Sequence, residues 1–247
     1  MPVTSAFVQW LNGLLMAVEA KAFQSIGYLP AEAADKAVKV NQALALELLV
    51  AGALILFFLI VRVSLKVDRP NAAQQIAEMI HEFTGSQGEQ VIGHGHERFQ
   101  AFVTCIFLFV VLNNLLGLVP GLETPTGQPW VPLGIATLTF IYYNFHGLRV
   151  QGVVGYMKHF AGPLWWIAPL LFPIEVISHC ARVMSLTIRL YANMLASDLV
   201  TLVFFSLVPV AIPAIFLGLH FAVSLIQAYI FMVLSMIYLS MAVAHEH

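Results

Sequence analysis

LVTLVFFSLVPVAIPAIFLGLHFAVSLIQAYIFMVLSMIYLSMAVAH, residues 199–245, is a run of 47 positions without one Asp, Glu, Lys or Arg. A membrane-spanning helix needs about 20 mostly apolar residues, and this run exceeds that twice over. A water-soluble helix of such length would need a polar face, which the stretch lacks. The rest of the 247-residue chain reads the same way: 60% of it is apolar and 10% charged, where soluble domains carry roughly 25% charge. Mean hydropathy is +0.86. Eleven Lys and Arg against thirteen Asp and Glu leave a net charge of −2, so no basic field attracts nucleic acid. The expected fold is all-α, a polytopic membrane protein of about five to six membrane helices.

Cysteine usage excludes a disulfide framework and a C-x-x-C metal knuckle, because Cys105 and Cys180 stand singly in apolar stretches. They read as small packing residues. The amino-terminal stretch lacks the basic segment and cleavage site of a signal peptide. Phe7, Trp10, Leu11, Leu14, Leu15 and Val18 recur at helical spacing. That pattern fits an amphipathic helix lying at the interface, or an ordinary packed one.

Hydropathy divides the chain into 1–43, an extracytoplasmic amphipathic segment; 44–163, the first transmembrane helices; and 164–247, the last ones. The first span is expected over Leu44–Val61, the second over Phe99–Val119 before Pro120, and the third over Leu133–His146. Between the first two lies a polar connection, 62–98. There RPNAAQQIAEMIHEF (69–83) predicts a helix entered through Pro70, and GSQGEQVIGHGHER (85–98) predicts a loop. Another loop should carry Arg149 and Lys158. Pro163, Pro169 and Pro173 predict a short hairpin or re-entrant piece. From Ile174 to Val208 the pattern is helical, about 52 Å of helix against a hydrocarbon core of roughly 30 Å, so it should tilt steeply. Pro209 and Pro213 predict the turn into a last helix, Ala214–Ala244. Arg62, Lys66, Arg69, Arg98, Arg149 and Lys158 flank alternate connections. The positive-inside tendency then puts the amino terminus outside and the carboxyl terminus in the cytoplasm.

The informative residues are polar ones inside the last two helices: Glu175, His179, Arg182, Arg189, Asn193, Asp198, His220 and Gln227. An Arg at the centre of a spanning helix costs about 2.5–3.5 kcal/mol on insertion scales. Glu175, Arg182 and Arg189 recur every seven residues, each step falling roughly 20° short of two full turns, so they share one stripe. Ser178 and Ser185 follow a parallel one. Asp198 lies half a turn round from Arg189 and about 13 Å along, which argues against a simple ion pair between them. An antiparallel turn centred on Ala211 brings Asp198 toward His220, and Arg189 and Asn193 toward Gln227. Carboxylates and imidazoles can pass protons when burial moves them toward neutrality, whereas Arg cannot release one. A fixed cation between two titratable clusters would block leakage between them. Plainer readings stand beside this: a lone membrane His more often packs, and Arg182 can serve as a partner for Glu175 or snorkel to the surface.

SLTIRLYANMLASDLV (185–200) and LHFAVSLIQAYIFMVLSMIYLSMA (219–242) closely resemble subunit a of the F-type ATP synthase membrane sector. That family carries S-L-x-x-R-L-[FY]-[AG]-N-M and then Q-A-[FY]-[IV]-F. The resemblance is closest over 173–247 and extends to LNNLLGLVPG (112–121) within 99–122; before residue 62 it is slight. It implies that Arg189 is the essential stator arginine facing a rotating c-ring, with Asn193 and Gln227 beside it. Asp198 and His220 would belong to the outer half-channel together with Asn114, and Glu175 to the cytoplasmic one. Ser185 and Arg182 join this list of proton-path residues. The sequence departs from some relatives at Gly117, where they carry an acid, and at Asp198, where they carry Glu.

The resemblance implies a proton-translocating stator subunit that couples proton flow to ATP synthesis, without cofactor or metal. Its partners would be the c-ring, the subunit b peripheral stalk and the remainder of the synthase, in a bacterial inner membrane. No G-x-x-x-x-G-K-[ST] loop is present, so nucleotide chemistry belongs elsewhere. An independent ion-coupled secondary transporter could use the same buried charges, but inverted repeats are missing. An intramembrane hydrolase lacks H-E-x-x-H and G-x-S-x-G, and His94-Gly95-His96 falls in a polar stretch.

Overall fold

The computed structural model describes residues 8–11, 13, 42–66, 70–119, 124–161, 168–207 and 211–243; at 42, 153–161, 168, 205–207 and 211–213 it describes the backbone alone. Every long element among them is a helix and none is a strand. In order they are α1 (Gln42–Ser64), α2 (Ala72–Val91), α3 (Glu97–Leu116), a 3-10 turn (Pro125–Gly127), α4 (Trp130–Ala161), α5 (Ala168–Leu207) and α6 (Ala211–Val243). Residues 8–11 and 13 are helical as well. The remainder of the expected amino-terminal helix, Pro120, Pro163, Pro209 and the tail 244–247 lie outside the described residues.

Among the described residues four helices are long and apolar enough to cross a membrane: Ala43–Ser64, Glu97–Leu116, Pro169–Phe204 and Ala214–Val243. The protein is thus an all-α membrane protein. The expected third span falls within α4, which carries Asn144, His146, Arg149, Gln151 and Lys158 and is less apolar than these four. At 40 and 33 residues, α5 and α6 measure about 60 and 50 Å, so neither fits upright within a hydrocarbon core of roughly 30 Å.

Three local expectations fail for identifiable reasons. GSQGEQV does not loop but continues α2 to Val91. Its glycines serve packing: a Cβ on Gly85 would press on the Gln100 amide at 2.7 Å, and one on Gly88 would stand 3.2 Å from the His96 ring. Without those methyls α2 lies against the start of α3, where Thr84 and Thr104 share a 2.8 Å hydrogen bond and Gln100 Nε2 donates to the His81 carbonyl at 2.7 Å. The helix stops at Gly93, whose φ of 79° suits glycine.

Arg149 and Lys158 also lie in helix rather than loop, since α4 runs on past a break at Gly152 (φ 72°, ψ 161°). Nor do Pro169 and Pro173 interrupt α5, which is helical from Ala168. Pro169 occupies the first turn, where no N–H partner is needed. Pro173 forfeits one bond, a smaller loss than opening a whole turn inside an apolar segment. Pro213 similarly falls in the first turn of α6, which therefore starts at Ala211 rather than Ala214.

Packing centres on α3, α4, α5 and α6. One buried cluster joins Ile106 and Val110 of α3, Ile135 of α4, Leu186, Leu190 and Met194 of α5, and Phe231 of α6. A second gathers Phe99, Val103, Tyr143, Met232, Met236 and Leu239 nearer the other end. By contrast α1 leaves Ile55, Leu56, Leu59 and Val63 exposed, as a helix bathed in lipid would.

Candidate functional site

Polar side chains collect at three levels along the α5–α6 seam. At the level of the α3–α4 connection, Asp198 Oδ1 accepts from Thr124 Oγ1 at 2.9 Å and lies 3.5 Å from His220 Nδ1. His220 is buried. Its Nε2 sits 3.3 Å from the Asn114 carbonyl, which can only accept, so Nε2 carries a proton. Nδ1 is then free to accept from Ser197 Oγ at 2.8 Å, or to hold a second proton facing Asp198. Asn114 is fully buried: its Oδ1 accepts from Thr126 Oγ1 at 2.6 Å, and its Nδ2 donates to the Ser224 carbonyl at 3.4 Å.

Gly117 closes this level. A Cβ there would clash with Thr124 Oγ1 and stand 3.1 Å from the His220 ring. Thr124 therefore fills the space that an acidic side chain at position 117 would need.

The middle level holds Arg189. It is half-buried, and among the described residues no carboxylate comes within ion-pair distance of it. One turn later Asn193 Nδ2 donates to Gln227 Oε1 at 2.9 Å, tying α5 to α6. Ser185, one turn earlier, is exposed on the outer face of α5, along with Ala181, Ile188, Ala192 and Ala196. Among the described residues no other helix covers that strip, and its small residues would let another helix approach closely.

At the third level Glu175 Oε1 lies 3.5 Å from His179 Nε2 and 3.8 Å from Arg182 Nη2. His179 is buried, and its Nδ1 shares a 2.9 Å hydrogen bond with Tyr143 Oη of α4. The Arg182 guanidinium stands 5.5 Å from the centre of the Tyr238 ring on α6. Arg182 is accordingly a partner of Glu175. Fourteen residues, about 21 Å of helix, separate Glu175 from Arg189, and nine, about 13 Å, separate Arg189 from Asp198.

The structure thus brings Asp198 together with His220 and Asn114, Asn193 with Gln227, and Glu175 with Arg182, while Arg189 and Asp198 stay apart. The antiparallel register differs slightly from a turn centred on Ala211. The pairs Ser197–His220, Asn193–Gln227 and Arg182–Tyr238 have midpoints between residues 208 and 210. Thr124, Thr126, Ser197 and Tyr143 were not legible as site residues. The two threonines fall in a short connection without periodicity, and hydroxyls in a membrane helix usually bond their own backbone. No cluster among the described residues is arranged to hold a metal ion.

Residues 45–240 match the ATP synthase A chain family. The chain belongs to that family. It is 49% identical over its full 247 residues to ATP synthase subunit a of Koribacter versatilis, with all of both chains covered. It is 48% identical over 202 residues to ATP synthase subunit a of Solibacter usitatus, covering 82% of this chain and 87% of that one. The protein of the same name from Bdellovibrio bacteriovorus is 39% identical over 172 residues, 70% of this chain and 75% of that one. The stretch matched to the ATP synthase A chain family includes all three polar levels.

Proposed function

We propose that the chain is the proton-translocating stator subunit of an F-type ATP synthase, and that its α5–α6 seam forms two offset half-channels separated by Arg189. The observation that carries this reading is a half-buried guanidinium with no carboxylate within ion-pair distance among the described residues, set between two titratable clusters. An Arg in a spanning helix demands a counter-charge. The uncovered strip of small residues beside it leaves room for a partner helix to supply one. A c-ring bearing one mid-helix carboxylate per subunit fits that need.

A proton enters past Asn114, Asp198 and His220. The His220 ring can take it at Nδ1 and pass it toward the ring carboxylate. Arg189 stabilises the ionised carboxylate that turns toward it, and so releases the proton on the other side. From there the Glu175–His179–Tyr143 chain leads it out. Because Arg189 never deprotonates, protons cannot pass directly from one cluster to the other. Subunit b and the remainder of the synthase hold the chain against the turning ring. The setting is a bacterial inner membrane, with the Asp198 level outside and the Glu175 level and carboxyl terminus toward the cytoplasm.

Cross-linking tests this. With Ala192→Cys in the membrane-embedded complex, oxidation should give a disulfide to a small two-helix proteolipid carrying a cysteine near its mid-helix carboxylate. Failure of such proteolipids to cross-link or co-purify with the chain would overturn the reading.

A further inference from the structure

A second polar site lies apart from the α5–α6 seam, at the end of the bundle nearer Glu175. Here the α2–α3 turn, the first residues of α3, the second half of α4 and the last turns of α6 enclose a cavity of about 670 Å³. Its polar lining includes Arg98, Arg149, His146 and Ser240, and among the described residues none that lines it is acidic. Neither guanidinium has a carboxylate within ion-pair distance among the described residues. His146 donates Nδ1 to the Tyr142 carbonyl at 3.0 Å, which leaves Nε2 as its remaining polar atom. Ile92, Phe99 and Val150 supply apolar wall. Phe145, whose ring stands 5.6 Å from that of His146, is exposed, as is Leu148 next to Arg149 in the chain.

Two unpaired guanidiniums in one hollow ask for an anion with several oxygens, and a phosphate offers them. The size lies within the range of small-ligand pockets. Apolar walls next to an exposed aromatic side chain suit an anion that carries acyl chains better than a free one. Basic hollows between membrane helices at the cytoplasmic face are where anionic headgroups settle. We infer that this cavity binds the phosphodiester headgroup of an anionic glycerophospholipid, with Arg98 and Arg149 clamping the phosphate oxygens and the acyl chains running down past Phe145. The proposal takes from the proposed function only the orientation that puts this end toward the cytoplasm, and it stands whether or not the α5–α6 seam conducts protons.

The test uses the full chain in nanodiscs of phosphatidylcholine doped with phosphatidylglycerol, and counts retained lipid by native mass spectrometry after release into detergent. The chain should keep phosphatidylglycerol over phosphatidylcholine by about tenfold or more, and R98A/R149A should lose that preference while R98K/R149K keeps part of it. Equal retention of both lipids, or undiminished preference in R98A/R149A, would overturn the proposal. So would displacement of the lipid by millimolar inorganic phosphate, which would make free phosphate the ligand. Should R98A/R149A fail to fold, a photoactivatable phosphatidylglycerol on the unaltered chain decides. Labelling within residues 92–99 or 146–150 supports the site, and labelling confined to α1 refutes it.

Discussion

At the scale of single residues, the outer cluster works by close contact. Gly117 has no side chain because Thr124 and His220 occupy the space, so G117A should cost about 1–3 kcal/mol through overpacking. Its unfolding midpoint in mixed micelles should fall, and proton-driven ATP synthesis with it. A midpoint equal to that of the unaltered chain would show that the site relaxes around a methyl group. His179 links Tyr143 to Glu175; H179A should lower proton flux through the complex by about tenfold or more, read as fluorescence quenching in inverted vesicles. Added imidazole should restore part of that flux, an effect expected of a relay but not of a packing residue. Arg189, Asn193, Asp198, His220 and Gln227 were legible in the sequence because lipid penalises every one of them. The hydroxyls were not. Thr124 looks like any connection threonine until its 2.9 Å bond to Asp198 is seen.

At the scale of elements, continuous apolar runs located the spans. Leu44–Val61, Phe99–Val119 and the last two helices all fall on helices that match within a few residues, apart from the earlier start of α5. Glycine and proline misled, because each has a meaning in membrane helices that differs from its role in a soluble chain. Gly85 and Gly88 admit a neighbour, and Pro173 is carried inside α5. Gly152 is different. Its φ of 72° with ψ of 161° belongs to a region open essentially to glycine, and it marks the break in α4. G152A should therefore destabilise by about 1–3 kcal/mol, whereas G134A, in open space within the same helix, should be neutral. Thermal unfolding of the two variants side by side checks this. Equal midpoints would mean that the break serves no strained conformation.

At the scale of the whole molecule, α5 is long enough to carry both titratable clusters, one toward each end, with Arg189 between them. Length and composition alone placed the chain in a membrane. The family motif pointed to the seam, and the antiparallel packing of α5 on α6 brings its residues to within hydrogen-bond reach. Helix periodicity did not convey the third helix of each cluster: the family resemblance alone put Asn114 of α3 with His220, and nothing in the sequence pointed to α4 bringing Tyr143 to His179. Both contacts join residues far apart in the chain, where no local periodicity reports them. The central claim is that a fixed cation separates the two clusters and meets a partner's carboxylate. Its most direct test is proton-driven ATP synthesis by the complex reconstituted in sealed vesicles with Arg189→Ala. The account predicts that synthesis is lost while the complex still assembles; synthesis retained at the level of the unaltered complex would contradict it.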